Sequence, residues 1–138
     1  MFDAIFTSAL RALPVFTSQL AVTLLILVGG VLIYQAFTPH SEARLIRQNN
    51  SAAALAFGAA IVSIALPLGM CLARSVSIPD IIIWGVIALV VQLGTFFVAS
   101  LVFRDLVQRI ENGEMASAIA LGATHLSVAV INSAAIAG

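Results

Sequence analysis

Residues 51–73 read SAAALAFGAAIVSIALPLGMCLA, an uncharged run set between Arg47 and Arg74. A helix rises about 1.5 Å per residue, so about 20 apolar residues cross a hydrocarbon core of about 30 Å. The run therefore reads as a transmembrane helix. Working outward from it, the charges mark the ends of three more spans. No charge falls between Arg11 and Glu42, which leaves Pro14–Thr38 free to cross; Asp80 and Arg104 bracket a third stretch; none follows Glu114 before Gly138. The expected fold class is all-α: a polytopic membrane protein with four transmembrane helices, forming a single integral-membrane domain over residues 1–138.

Composition excludes the alternatives. Of 138 residues, 62% are apolar and 9% charged, and the mean hydropathy is +1.14. A soluble domain carries about 25% charged residues, so too few polar side chains remain here to cover a globule in water. The basic residues are all arginines and the acidic ones balance them to a net charge of zero, which provides no basic patch to grip nucleic acid. The lone cysteine, Cys71, permits neither an internal disulfide nor a multi-cysteine zinc site. The first apolar run is too long for a signal peptide and lacks a small-x-small cleavage site, so it reads as a retained helix.

Local signals set the boundaries. Pro39 is read as the stop of the first helix, Asn49, Asn50 and Ser51 as caps of the second, and Pro79 as part of the first turn of the third. Asn112-Gly113 marks a turn, after which Glu114 meets the positive end of the fourth helix. No breaker lies between Ile81 and Glu111, so the third helix is expected to run on beyond the membrane as a stalk, about 46 Å in all. Asp105 and Arg109 would then pair at i,i+4. The loop carboxylates sit beside arginines and read as solvated. Near the N-terminus, Phe2, Ile5, Phe6, Ala9 and Leu13 share one helical face. Periodicity leaves open whether this is an interfacial helix or an extension of the first span. Arg44, Arg47, Arg104 and Arg109 flank one side of the membrane, Arg11 and Arg74 the other, which places both termini in the periplasm. Trp84 suits the outer interface.

The chain also repeats itself. Residues 51–58 (SAAALAFG) align with 115–122 (MASAIALG), Ser63 with Ser127, and Gly30 with Gly94, all at one offset. The reading is two parallel two-helix units, about 14–73 and about 80–136, which differ from the inverted repeats of many secondary transporters. Small side chains let helices approach in lipid. Ala52, Ala56, Ala59 and Ser63, with their counterparts Ala116, Ala120, Ala123 and Ser127, form two such stripes. They are assigned to helix packing, either within the chain or against a second copy.

Two stretches, RQNNSAAA (47–54) and RDLVQRIENGEMA (104–116), together with the helices carrying Gly58 and Gly122, resemble the bacterial YjfL-like inner-membrane family, domain of unknown function 350. The likeness covers all but about the first dozen residues. It implies an inner-membrane protein and carries over no catalytic or binding residue.

The polar candidates singled out inside the spans are Gln92, Thr95, Thr124, His125 and Asn132. An ionisable group in a membrane is a functional candidate, and His125 is the one such group in these spans. It could serve a proton or ion relay or ligate haem; alternatively, it is a neutral imidazole bonded across a helix interface to Gln92 or Thr95, the reading preferred here. No motif supports a catalytic, metal or cofactor site: there is no Cys/His pair, His-Glu-x-x-His or phosphate loop. Cys71 reads as a packing residue. The expected function is therefore a non-enzymatic, homo-oligomeric structural or interaction component of the bacterial inner membrane. Its expected partners are the lipid bilayer, further copies of itself, and a cytoplasmic or membrane protein. The alternative is a small ion or solute channel or transporter with a pore between subunits, lined by Gln92, Thr95, His125 and Asn132. A haem- or quinone-binding subunit is a third reading.

Overall fold

A computed structural model describes residues 2–38 and 42–138. Six helices follow one another: α1 (Phe2–Phe37), α2 (Glu42–Arg47), α3 (Ser51–Arg74), α4 (Ile78–Val102), α5 (Arg104–Glu111) and α6 (Met115–Ala137). Four of them, α1, α3, α4 and α6, are long and apolar enough to cross a membrane. The all-helical, four-span class read from the charge spacing holds. The expected stop at Pro39 lies outside the described residues.

The N-terminal question is settled by continuity. Phe2–Phe37 is one helix with Pro14 inside it, so the early apolar face extends the first span. The uninterrupted third helix needs correction. It ends at Val102, and Phe103 (φ −111°, ψ 46°) turns the chain into the separate α5. The stretch has no proline or glycine between Gly94 and Gly113, so propensity alone predicts continuation. What ends the helix is tertiary: α5 folds back so that Ile110 is buried with Ala52, Ala53, Ala99, Ala118 and Leu121. Burying that apolar side of a strongly amphipathic segment outweighs the hydrogen bonds lost at the break. Arg109 likewise pairs with Glu114, through Nε at 2.7 Å and a second contact through Nη2, in place of the expected Asp105 partner.

Asn50 ties the layers together. Its Oδ1 accepts from Ala53 N–H and caps α3, while its Nδ2 donates to the carbonyls of Ile110 (3.0 Å) and Glu111 (2.9 Å) at the end of α5. Pro79 sits in the first turn of α4, as read from the sequence.

Helix α3 occupies the middle of the bundle and packs on α1, α4 and α6, most extensively on α6. At their crossing, a Cβ built on Gly122 would come within 2.9 Å of the Ala59 methyl, so glycine sets the approach of the two backbones. On α3 the expected small-residue stripe is inward: Ala52, Ala56 and Ser63 are buried and Ala59 is half-buried. The equivalent stripe on α6 is not. Ala116, Ala120, Ala123 and Ser127 are exposed, because α6 is rotated to present Ser117, Ala118, Leu121, Gly122 and His125 to its neighbours. Within the chain, these four therefore do not pack against α3. Cys71 is buried, as a packing residue would be.

Candidate functional site

The site grows from a line of rings, one from each span. Tyr34 of α1 lies 6.4 Å from Phe57 of α3 in a stacked arrangement and 4.7 Å from Phe96 of α4, edge to face. Phe96 in turn meets the His125 ring of α6 at 4.2 Å, again edge to face. These offsets suit the ring quadrupoles. The rings sit in the half of the bundle that α2 and α5 cover.

Glu42 opens α2, and it was expected to be solvated. It is instead 6% exposed, because the short helix packs onto α3 at the end of the bundle. Its Oε1 accepts a 2.6 Å hydrogen bond from the Tyr34 hydroxyl, whereas Oε2 has no partner among the described residues. Burial pushes the carboxyl up to about 7, against the opposing pull of the Tyr34 bond.

His125 is 3% exposed, and neither ring nitrogen has a hydrogen-bond partner among the described residues. The expected cross-helix bonds to its ring are absent for a geometric reason. Gln92 Nε2 donates to the His125 backbone carbonyl at 3.2 Å, and the Thr95 hydroxyl turns back to the Val91 carbonyl on its own helix. Gln92 Oε1 also has no partner among the described residues. Asn132, buried on the same side of α6 as His125, donates to the Ala88 carbonyl at 3.1 Å. The Thr124 hydroxyl bonds the Ala120 carbonyl on its own helix. Gln92, His125 and Asn132 thus lie buried along the contact of α4 with α6, with no side-chain hydrogen bond among the three. Thr95 and Thr124 line a separate groove on the outer surface with Val91, Val98 and Val128. The five candidates do not form one lining.

Glu42 and His125 wall the same cavity, of about 320 Å³, together with Tyr34, Leu45, Ala56 and Phe96. Among the described residues, its titratable lining is Tyr34, Glu42 and His125, with no arginine. Chemically it offers an apolar, ring-lined space with two unspent polar groups. A buried polar atom without a partner carries a desolvation cost of about 1–3 kcal/mol, so two such groups around one space mark it as a place for hydrogen bonds. Sequence reasoning missed Tyr34, Glu42 and Phe96. The available signal was the single tyrosine eight residues before the first acidic residue after a span; only the fold shows that both turn inward. Among the described residues, no three His, Cys, Asp or Glu gather to hold a metal ion.

A family model described as Domain of Unknown Function (DUF350) matches residues 8–136. The chain belongs to that family. It is 34% identical over 125 residues to the "UPF0719 inner membrane protein YjfL" of Escherichia coli strain K12, covering 91% of this chain and 95% of the relative. The protein of that title from Escherichia coli O157:H7 matches to the same extent: 34% over 125 residues, with 91% and 95% coverage. No solved structure matches. The four apolar helices and these relatives make the chain a multi-pass inner-membrane protein.

Proposed function

We propose that this chain is a non-enzymatic inner-membrane component that works by binding, with the cavity between Glu42 and His125 as its ligand site. The observation that carries this reading is the pair of nine-tenths-buried polar side chains with unpartnered atoms on the wall of one cavity. Ligand sites are commonly apolar spaces of about 300–1,000 Å³ with a few convergent polar groups, a description that fits the arrangement here.

The same reading includes assembly with further copies. Its support is the outward stripe of Ala116, Ala120, Ala123 and Ser127 on α6, where small side chains leave a second helix free to approach. The pore between subunits has less support. Of its four lining residues, Gln92, His125 and Asn132 lie inside one chain, and Thr95 faces the outer groove.

The test is stoichiometric. Protein purified in a mild detergent is extracted with organic solvent, and the extract is compared by mass spectrometry with that of the Glu42→Leu/His125→Leu double variant. About one small molecule per parent chain, absent from the double variant, is expected. Identical extracts from the two proteins would contradict a binding site here.

A further inference from the structure

The walls of the cavity say where a ligand enters. Phe37 and Phe97 both line it, yet they are 75% and 60% exposed. Residues that wall a cavity and also stand on the outer surface form its rim. Phe37 closes α1 and Phe97 lies in α4, both spanning helices, and around them Ile33, Val98 and Leu101 are exposed apolar residues. A surface of this kind faces lipid, because water would leave all of that apolar area unburied. The mouth therefore opens sideways into the bilayer.

The polar groups say what kind of head fits. Three hydroxyls on the wall are already spent: Tyr34 donates to Glu42, Thr38 to the Tyr34 carbonyl, and Ser100 to the Phe97 carbonyl. Among the described residues, Glu42 Oε2 and the His125 nitrogens are left. A neutral imidazole offers one donor and one acceptor, and a carboxyl supplies an acceptor or, when protonated, a donor. Among the described residues no arginine lies on the wall, so a phosphate or carboxylate head would meet no counter-charge from them and would lie beside a carboxyl. The carboxyl itself ionises only near neutrality, which weakens any pull on a cationic head. Volume bounds the size: a cavity of about 150 Å³ holds benzene, and this one, of about 320 Å³, has room for a small head group or ring with its first few carbons.

Building on the reading of the cavity as a ligand site, we propose that it takes one uncharged, membrane-dissolved amphiphile through the mouth between Phe37 and Phe97. A hydroxyl or carbonyl head bonds to Glu42 and His125, and the tail stays in the bilayer. Two sources supply such a head: a quinone-type ring or a glycerol-type hydroxyl.

The experiment uses the full chain in phosphatidylcholine nanodiscs and four ten-carbon probes: decylubiquinone, monodecanoylglycerol, decyl phosphate and decylamine. Binding is read by native mass spectrometry. Saturable binding of one neutral probe per chain is expected, and which of the two binds tighter identifies the source. His125→Leu should weaken that binding by about tenfold or more, corresponding to about 1.4 kcal/mol. Glu42→Gln should stay within about threefold, because an amide still donates and accepts. A second variant guards against misfolding. Gly94 lines the cavity, and a Cβ built there meets no atom within 4 Å, so Gly94→Leu should fold normally while obstructing entry. Decyl phosphate bound as tightly as the neutral probes would overturn the proposal. So would decylamine bound tightest, with loss in Glu42→Gln. If no probe binds but solvent extraction yields a water-soluble molecule, the lipid route fails and the binding site stands; if neither yields anything, both fail.

Discussion

His125 and Glu42 show how a residue's role depends on what its side-chain atoms meet. Gln92 grips the backbone carbonyl of His125, a bond that any residue at the position preserves, so the ring itself supports no neighbour through a hydrogen bond. His125→Leu should therefore change unfolding stability by less than about 1 kcal/mol while weakening ligand binding by about tenfold or more; denaturant titration in detergent micelles, run beside the binding assay, checks the split. Glu42 makes a pH prediction. Its carboxyl titrates at about 7 in the folded chain against an ordinary 4.5, so between those values the folded state holds a proton that the unfolded state has lost. Unfolding then releases a proton, and stability falls as pH rises through that window, with each displaced unit worth about 1.4 kcal/mol. Glu114 runs the other way: Arg109 holds its carboxyl below the usual range, so its contribution is lost only at more acid pH. Melting curves at pH 5 and pH 8 should show the parent more stable at pH 5 relative to Glu42→Gln, and parallel behaviour of the two proteins would contradict the burial of this carboxyl. Neither role was legible in the sequence. Charge next to an arginine-rich loop reads as solvated until the fold shows α2 laid across the end of the bundle, and a buried histidine reads as bonded until its neighbours are seen to bond elsewhere.

Among the elements, α3 and α6 carry similar sequences into different settings. Ala56 is buried in the chain's own core, whereas Ala120, its counterpart in the aligned run, is exposed. Ala56→Leu should destabilise the monomer by about 1–3 kcal/mol through overpacking. Ala120→Leu should leave the monomer intact and reduce oligomer content on native gels, and equal behaviour of the two variants would show that α6 does not use this face. The glycines divide in the same way. Gly122→Val would press a side chain against Ala59 and should cost about 1–3 kcal/mol, while Gly58→Ala, with no atom within 4 Å of the added methyl, should be neutral or stabilising by up to about 1 kcal/mol. Two elements also bear on the repeat, which we propose as the layout of the chain. Asn49 (φ 62°) and Gly113 (φ 85°) put left-handed turns just before α3 and α6, at the same offset that aligns the two sequences. The spans were legible because length and charge decide them. The break at Phe103 was not, because no local signal marks it and the burial of Ile110 decides it.

The molecule as a whole is a four-span bundle with a covered, charged end and a bare one. Arg44, Arg47, Arg104 and Arg109 gather at the α2–α5 end, which supports placing that end in the cytoplasm and both termini in the periplasm. A C-terminal fluorescent reporter that matures only in the cytoplasm should stay dark, and bright cells would reverse the orientation. In that proposed orientation the Glu42 end of the cavity would lie near the inner interface and His125 deeper. A polar head and an apolar tail would be met in the order that the bilayer presents them. Of that design the sequence showed the host membrane, the span count and His125, but the cavity is made by residues of all six helices and has no signature in any one of them. The central claim is that this cavity receives a neutral lipid sideways. Photolabelling tests it most directly: vesicles containing the protein are irradiated with a diazirine-bearing decyl alcohol, and the labelled peptides are mapped by mass spectrometry. The account predicts label concentrated on the α4 residues Leu93, Phe96 and Phe97 and on Leu121 of α6, displaced by the tighter-binding neutral probe and missing from Gly94→Leu. Label spread evenly over the lipid-facing residues of α1 and α4, unchanged by competitor or by Gly94→Leu, would contradict it.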